Sequence, residues 1–373
     1  MDFVVATKVS RNESLVNCGY IPCLERPHAA DAEVERFKRD TAEQAGMWGD
    51  SASDDITIQH KGTWDDASSS EEGLIVECRD LVPCDTSTSG VYFVKDSKGN
   101  VAGVFKPAEQ EYVPEEMREA IVQGENMYRE RAAYILSREL GYFGSVPTTL
   151  LATMRHPSLS GGEQRGSLQR FVADAEDMSD MGPDGLPDDE VHKVGMLDII
   201  LMNMDRHEGN ILVTGGGALV PIDHGLCLPR VVSPSNSPDT VLLQQLSFVW
   251  QGWRQASRPF GESSRRLALS LTPASVASLA GRIVADTPGL SPQALTTLKV
   301  GATVVRVCVG NGMTLSEVAA FVVTGGLGRA LASAWEVDEG GVTRGYGAWE
   351  RRFLERLEAE LQVAEEREGR IKS

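Results

Sequence analysis

LDIILMNMDRHEGNILVTGGGALVPIDHGLCLP, Leu197 to Pro229, holds three polar groups whose order decides how the rest of the chain is read. Asp205 and Asn210 stand in D-x-x-x-x-N spacing, and Asp223 follows a short apolar run. Ile211, Leu212 and Val213 come after Asn210, and Ala218, Leu219, Val220 and Ile222 come before Asp223, with Gly215, Gly216 and Gly217 between them. Two apolar runs around a glycine turn predict a two-stranded hairpin with one polar group at each end. Folding the hairpin brings Asn210 and Asp223 together. An amide oxygen and a carboxylate are hard donors of the kind Mg²⁺ prefers, which leaves Asp205 to hold and deprotonate a hydroxyl.

Phosphoryl transfer asks for these three groups. The protein does little covalent chemistry in that reaction; it orients an acceptor hydroxyl, positions a triphosphate and brings Mg²⁺ to neutralise charge. The D-x-x-x-x-N spacing is that of a kinase catalytic loop. Taken alone, Asp205, Arg206 and His207 also read as a polar turn with an internal ion pair. Zinc ligation by His207 and His224 has no supporting Cys or His spacing.

Further machinery lies upstream. STSGVYFVKDSKGNVAGVFKP predicts two apolar strands joined at Ser97 to Asn100, with Lys106 at the end of the second. Pro107 biases Lys106 toward extended backbone, from which a cation reaches nucleotide phosphates. GENMYRERAAYILSREL predicts a helix with Ala132, Ala133, Leu136 and Leu140 on one face. Glu130 has Asn126, Met127, Ala133 and Tyr134 at its helical neighbour positions, so no basic partner on its own helix. It is therefore available to Lys106; the other reading is a solvated helix glutamate.

With Lys106, Glu130, GSLQRFV, LDIILMNMDRHEGNILV and PIDHG in this order, the chain resembles the phosphatidylinositol 3- and 4-kinase catalytic domains, and among them the gamma-type phosphatidylinositol 4-kinases of plants. LSFVWQGWRQASRPF and LKVGATVVRVCVGNGMTLSEVAAFV extend the resemblance, which runs from about Pro83 to Val323. It implies an α+β, two-lobed protein-kinase-like fold, with a small β-rich lobe over a mainly helical one. It also implies ATP as phosphoryl donor and Mg²⁺ as cofactor. Asp205, His207 and Lys106 would be catalytic, and Asn210 and Asp223 would hold the metal. The turn Ser87, Thr88, Ser89 and Gly90 would cradle the phosphates beside Lys106 and Glu130, with Phe171 and Val172 offering backbone hydrogen bonds to adenine. DRH reverses the protein-kinase HRD, in keeping with the lipid-kinase side of the superfamily. The turn from Thr86 to Val91 holds one glycine, so it is no G-x-G-x-x-G loop. The ubiquitin-like modules that often precede the kinase in the gamma type have no evident counterpart in the polar N-terminal stretch.

Composition sets bounds. With 373 residues, 41% of them hydrophobic, the chain can bury a large core. A net charge of −18 speaks against a nucleic-acid partner. That charge is uneven: residues 1–75 carry 15 acidic and 7 basic side chains, and Asp174 to Glu190 adds 8 acids and no base. His224 to Ser270, by contrast, holds Arg230, Arg254, Arg258, Arg265 and Arg266 against Asp239 and Glu262. Six cysteines without a C-x-x-C pair suggest reduced thiols, and no stretch suits a signal peptide or membrane span. The expectation is a cytoplasmic protein whose membrane contact, if any, is peripheral.

The divisions read from the sequence are an acidic, largely disordered extension over 1–73, with a short helix from Asp31 to Gln44, and a small lobe over 74–165. A large lobe follows over 166–335, then a C-terminal amphipathic helix over 336–373. A strand is expected from Val146 to Met154, a last small-lobe strand over Ser167 to Val172, and a helix from Pro187 to Met202 leading to Asp205. Phe248, Trp250 and Trp253 read as core beneath the activation loop or as a membrane-interface patch beside Arg254 and Arg258. Trp349, Phe353, Leu357 and Leu361 share a helix face expected to dock on the same chain. The resemblance implies phosphatidylinositol as the acceptor, with a protein serine/threonine hydroxyl as the alternative and a pseudokinase scaffold as a third reading. Arg230 is the one basic side chain between Gly225 and Thr240, few for an anionic lipid headgroup.

Overall fold

The computed structural model describes residues 57–58, 74–77, 80–84, 90–96, 98–231, 243, 245–334 and 346–367. The expected Asp31–Gln44 helix and most of the acidic extension lie outside them. Within that extension, Thr57–Ile58 is an edge strand, so the stretch read as disordered contributes to the sheet.

Among the described residues, seven strands form the small lobe's sheet: β1 (Thr57–Ile58), β2 (Leu74–Glu77), β3 (Asp80–Pro83), β4 (Tyr92–Lys95), β5 (Val101–Pro107), β6 (Thr149–Arg155) and β7 (Glu163–Arg170). They lie in the order β1-β2-β6-β7-β5-β4-β3. Because side chains alternate along a strand, β5 sends Gly103, Phe105 and Pro107 into the lobe and turns Lys106 to the other face. Phe105 packs with Leu81, Val94, Met154 and Leu168 in a small core. Gly166, paired with Pro107 on β5, has to be glycine: a Cβ there would stand 2.1 Å from the Lys106 carbonyl oxygen.

Two expected boundaries move. β6 begins at Thr149 rather than Val146, since Pro147 has no N–H for the ladder. β7 begins at Glu163, well before Ser167, and pairs with β6 as far as Arg155↔Glu163. The limit drawn at residue 165 therefore falls inside a small-lobe strand, and the lobes divide after Arg170. Glu163 and Arg165 face solvent, so this part of the strand carries no continuous apolar run.

Helix α1 (Asn126–Glu139) packs on β6 and β7. It is anchored to the large lobe through Arg131, whose guanidinium donates to the Thr149 carbonyl at 2.6 Å and meets Asp286 at 2.8 Å. The large lobe contains a three-stranded sheet in the order β10-β9-β8: β8 (Ala175–Asp177), β9 (Ile211–Thr214) and β10 (Leu219–Pro221). The hairpin of the last two was legible; β8, in an acidic stretch with little apolar content, was not. Helix α2 (Asp188–Leu201) begins after Pro187, with Asp188, Asp189 and Glu190 at its positive end, and leads into the loop carrying Asp205.

Behind α2 lie α3 (Glu262–Ser270), α4 (Pro273–Asp286), α5 (Pro292–Gly310), α6 (Leu315–Val323), α7 (Gly326–Ala334) and α8 (Tyr346–Arg367). Gly301 lets α5 close onto α2; a Cβ there would lie 2.3 Å from the Ile200 carbonyl oxygen. Phe248, Trp250 and Trp253 are buried, as the core reading expects. Phe353, Leu357 and Leu361 are buried on α8, which packs against α7 and α5. Among the described residues no single helix is long and apolar enough to cross a membrane.

Candidate active site

The lobes meet at a cleft of about 260 Å³ whose lining includes Gly90, Lys106, Glu111, Glu130, Asp205 and Asp223. A second hollow, of about 370 Å³ and lined by Glu109, Glu163 and Arg165, contains none of the three groups from which the sequence was read.

Lys106 is the hub. Its Nζ stands 2.6 Å from Glu130 Oε1 and 2.8 Å from Asp223 Oδ1, so one cation joins strand β5, helix α1 and the segment after β10. Burial works against the ammonium, yet the two carboxylates outweigh it and push the Lys106 pKa up. Glu130 is almost fully buried; burial raises its pKa against the pull of Lys106. Its other oxygen accepts the His224 backbone N–H at 3.1 Å. Asp223 keeps 44% of its side chain exposed. Lost solvation is the largest single effect and raises its pKa, but the charge and hydrogen bond of Lys106, with His224 and Arg206, together outweigh it and hold the carboxyl below the usual range.

The hairpin places the two proposed metal groups at its open end. β9 and β10 pair with Ile211 opposite Pro221, and the Ile222 N–H donates to the Asn210 carbonyl at 3.0 Å. The next residue, Asp223, adopts φ +55°, a left-handed conformation that Asp tolerates better than most residues. The side-chain N–H of Asn210 donates to the Asp205 carbonyl at 2.9 Å, which leaves the amide oxygen as its end for a cation. Asp223 has a second oxygen beyond the one facing Lys106. One amide oxygen and one carboxylate fit Mg²⁺, which takes few protein ligands and keeps water and phosphate oxygens. Among the described residues no cluster of three or more His, Cys, Asp or Glu suits a metal held by protein alone.

Asp205 lines the cleft from the loop that follows α2. Burial raises its pKa and the negative charge of Asp223 adds to the effect, while His207, Arg206 and Lys106 oppose it. A carboxylate poised in this direction suits a general base.

A second set of residues, which the sequence reading missed, holds this geometry from behind. Arg206 is buried and meets both oxygens of Asp198 at 3.0 Å, not Asp205. Trp250 Nε1 donates to Asp198 at 2.8 Å. Arg206 also donates to the carbonyls of Asn210 and Ile222, so one guanidinium clamps both ends of the hairpin. Its remaining nitrogen lies 3.1 Å from His224 Nε2, and burial with the adjacent Arg206 charge holds His224 neutral, its pKa well below the usual value. The available signal was Asp198, a lone carboxylate within the apolar run of α2.

Other expectations change. His207 is exposed and does not line the cleft; its Nδ1 turns back to accept the Gly209 N–H at 3.1 Å, capping its own short turn. The Phe171 N–H is taken by the Ala102 carbonyl at 3.1 Å, so that donor continues the sheet instead of serving an adenine. Phe171 packs edge-on against Phe93, and neither it nor Val172 lines this cleft. Ser87, Thr88 and Ser89 lie outside the described residues, while Gly90 lines the cleft and donates to the Gln110 carbonyl at 3.2 Å.

Residues 109–277 match the family model of phosphatidylinositol 3- and 4-kinase. The chain is 29% identical over 333 residues to phosphatidylinositol 4-kinase gamma 5 of Arabidopsis thaliana, covering 80% of this chain and 49% of that protein. It is 39% identical over 201 residues to phosphatidylinositol 4-kinase gamma 4 of Oryza sativa subsp. japonica, covering 47% of this chain and 33% of the relative. The chain thus spans about half or less of the length of the curated relatives it matches. Among solved structures, the Golgi casein kinase aligns with a TM-score of 0.42 at 12% identity, over 64% of this chain and 76% of that one.

Proposed function

We propose that the protein is an ATP-dependent phosphotransferase whose acceptor is a hydroxyl of phosphatidylinositol. The observation that carries this reading is Lys106, within ion-pair distance of both Glu130 and Asp223 in the cleft that Asp205 lines. Lys106, kept cationic by the two carboxylates, pairs with phosphate oxygens of ATP. Asn210 and Asp223 would hold Mg²⁺, which would supply positive charge against the phosphates. Asp205 orients the acceptor hydroxyl and takes its proton as the acceptor oxygen bonds to the γ-phosphorus. The bond from that phosphorus to the bridging oxygen breaks and ADP leaves.

The lipid acceptor is supported by the names of the relatives, and it would bring the protein to a membrane surface by peripheral contact. A protein hydroxyl is the second reading, favoured by the single basic residue, Arg230, between Gly225 and Thr240. The test is incubation of purified protein with labelled ATP and Mg²⁺, separately with phosphatidylinositol vesicles and with protein substrates, beside Asp205→Asn as control. Label in the lipid, absent with the control, supports the proposal. Label in protein alone transfers it to the second reading, and no transfer to either sinks it.

A further inference from the structure

Arg129, next to Glu130 on α1, is fully buried yet contributes nothing to the cleft lining. Its Nη1 donates to the Cys227 carbonyl at 2.6 Å and to the Leu228 carbonyl, and its Nη2 meets the Glu125 carboxylate at 2.7 Å. The segment it grips carries Asp223 at its start. Other bonds also fix that segment, among them His224 N–H to Glu130, Leu228 N–H to the Leu201 carbonyl at 2.7 Å, and Met204 N–H to the Leu226 carbonyl at 3.2 Å. α1 therefore holds the segment at two successive points, through Glu130 beside Asp223 and through Arg129 further along. α2 and the catalytic loop hold it from the other side.

A buried guanidinium is expensive to desolvate, and a bond to backbone carbonyls fixes main-chain position whatever the local side chains are. Packing alone would be met by a leucine or methionine at this site. The stretch begins and ends on residues with restricted backbones, Asp223 at φ +55° and Leu228 at φ +53°, so a small slip of the segment changes where the Asp223 carboxylate points.

We propose that Arg129 is a positioning residue for the metal-holding carboxylate, acting through the backbone of Cys227 and Leu228 to set the place of Asp223 relative to Lys106. Arg129 touches neither nucleotide nor acceptor. The inference rests on the nucleotide-and-Mg²⁺ reading of the cleft.

The test uses the full chain with Arg129→Lys and Arg129→Met. A fluorescent ATP analogue at fixed concentration is titrated with Mg²⁺, its binding is also measured in EDTA, and thermal unfolding is followed without ligands. Supporting partners of metal ligands typically contribute about 10- to 100-fold in metal affinity, so the Mg²⁺ midpoint should rise by about that factor in Arg129→Met. Arg129→Lys keeps the charge beside Glu125 but cannot span both carbonyls, and its midpoint should rise less. Binding in EDTA should match wild type. If Arg129→Met does not fold, Arg129→Lys alone decides. A lower melting temperature with an unshifted Mg²⁺ midpoint in folded variant protein overturns the proposal and assigns Arg129 to stability. Wild-type protein showing no Mg²⁺-dependent binding overturns the reading of the cleft, and the positioning role with it.

Discussion

Two ion-pair clusters lie back to back in this molecule and use similar chemistry for opposite ends. In the cluster of Lys106, Glu130 and Asp223, the side chains are 21%, 2% and 44% exposed. In the cluster of Asp198 and Arg206, both are 0% exposed; Trp250 and Asn203 donate to Asp198, and Arg206 meets His224 and two backbone carbonyls. The closed cluster is satisfied by the protein itself and serves the fold, because a buried charge left without its partner is strongly destabilising. The open one keeps a carboxylate at solvent, where a cation can reach it and a phosphate can compete with it for Lys106. Arg206 connects them, since the hairpin ends it clamps present Asn210 and Asp223.

The contrast predicts which substitutions remove activity and which remove structure. The largest effect is expected of Asp223→Ala: Mg²⁺-dependent nucleotide binding and turnover should both be lost, while a half-exposed position should lose little stability. Near-normal turnover in folded Asp223→Ala would sink the metal assignment. Asp205→Asn should lower turnover by about 10²- to 10⁴-fold, the usual contribution of a general base, and leave nucleotide binding nearly intact. A pH profile sharpens this. Asp205 must be ionised to take a proton and its pKa is raised, so turnover should fall as pH drops through a value above 3.8, with no such limb in the variant.

In the closed cluster, Asp198→Ala should cost about 3–5 kcal/mol of stability by stranding Arg206, measured by urea unfolding. A stability change confined to a few tenths would show that Arg206 finds other partners and that the cluster is less closed than drawn. Between these extremes, Lys106→Ala should reduce ATP use more than stability, and should be non-additive with Glu130→Ala by about 0.5–3 kcal/mol because each removes the same pair. The smallest effect is expected of His207→Ala. Its ring caps an exposed turn, so turnover and melting temperature should stay close to wild type; abolished transfer with full activity in Asp205→Asn would move the base to His207.

Much of this could be read along the chain because it depends on local order. Asp205, Asn210 and Asp223 around an apolar hairpin, Lys106 at a strand end, and Glu130 without a partner on its helix are all matters of spacing. So is the alternation that turns Lys106 away from the Phe105 core. Interactions between segments distant in sequence were not legible. Nothing near Arg206 marks Asp198 and Trp250 as its partners, and the burial of Arg129 against the carbonyls of Cys227 and Leu228 has no side-chain signature at all. Solvent-facing strand residues such as Glu163 and Arg165 hid the extent of β7, and a backbone N–H already taken by Ala102 removed Phe171 as an adenine donor. The sequence by itself determined which polar groups sit at the ends of the apolar elements and the order in which they arrive, because short-range periodicity and turn residues set local structure. Only the tertiary structure decided which of those groups share a cleft and which are sealed behind it, because burial and long-range pairing set the charge and position of each side chain.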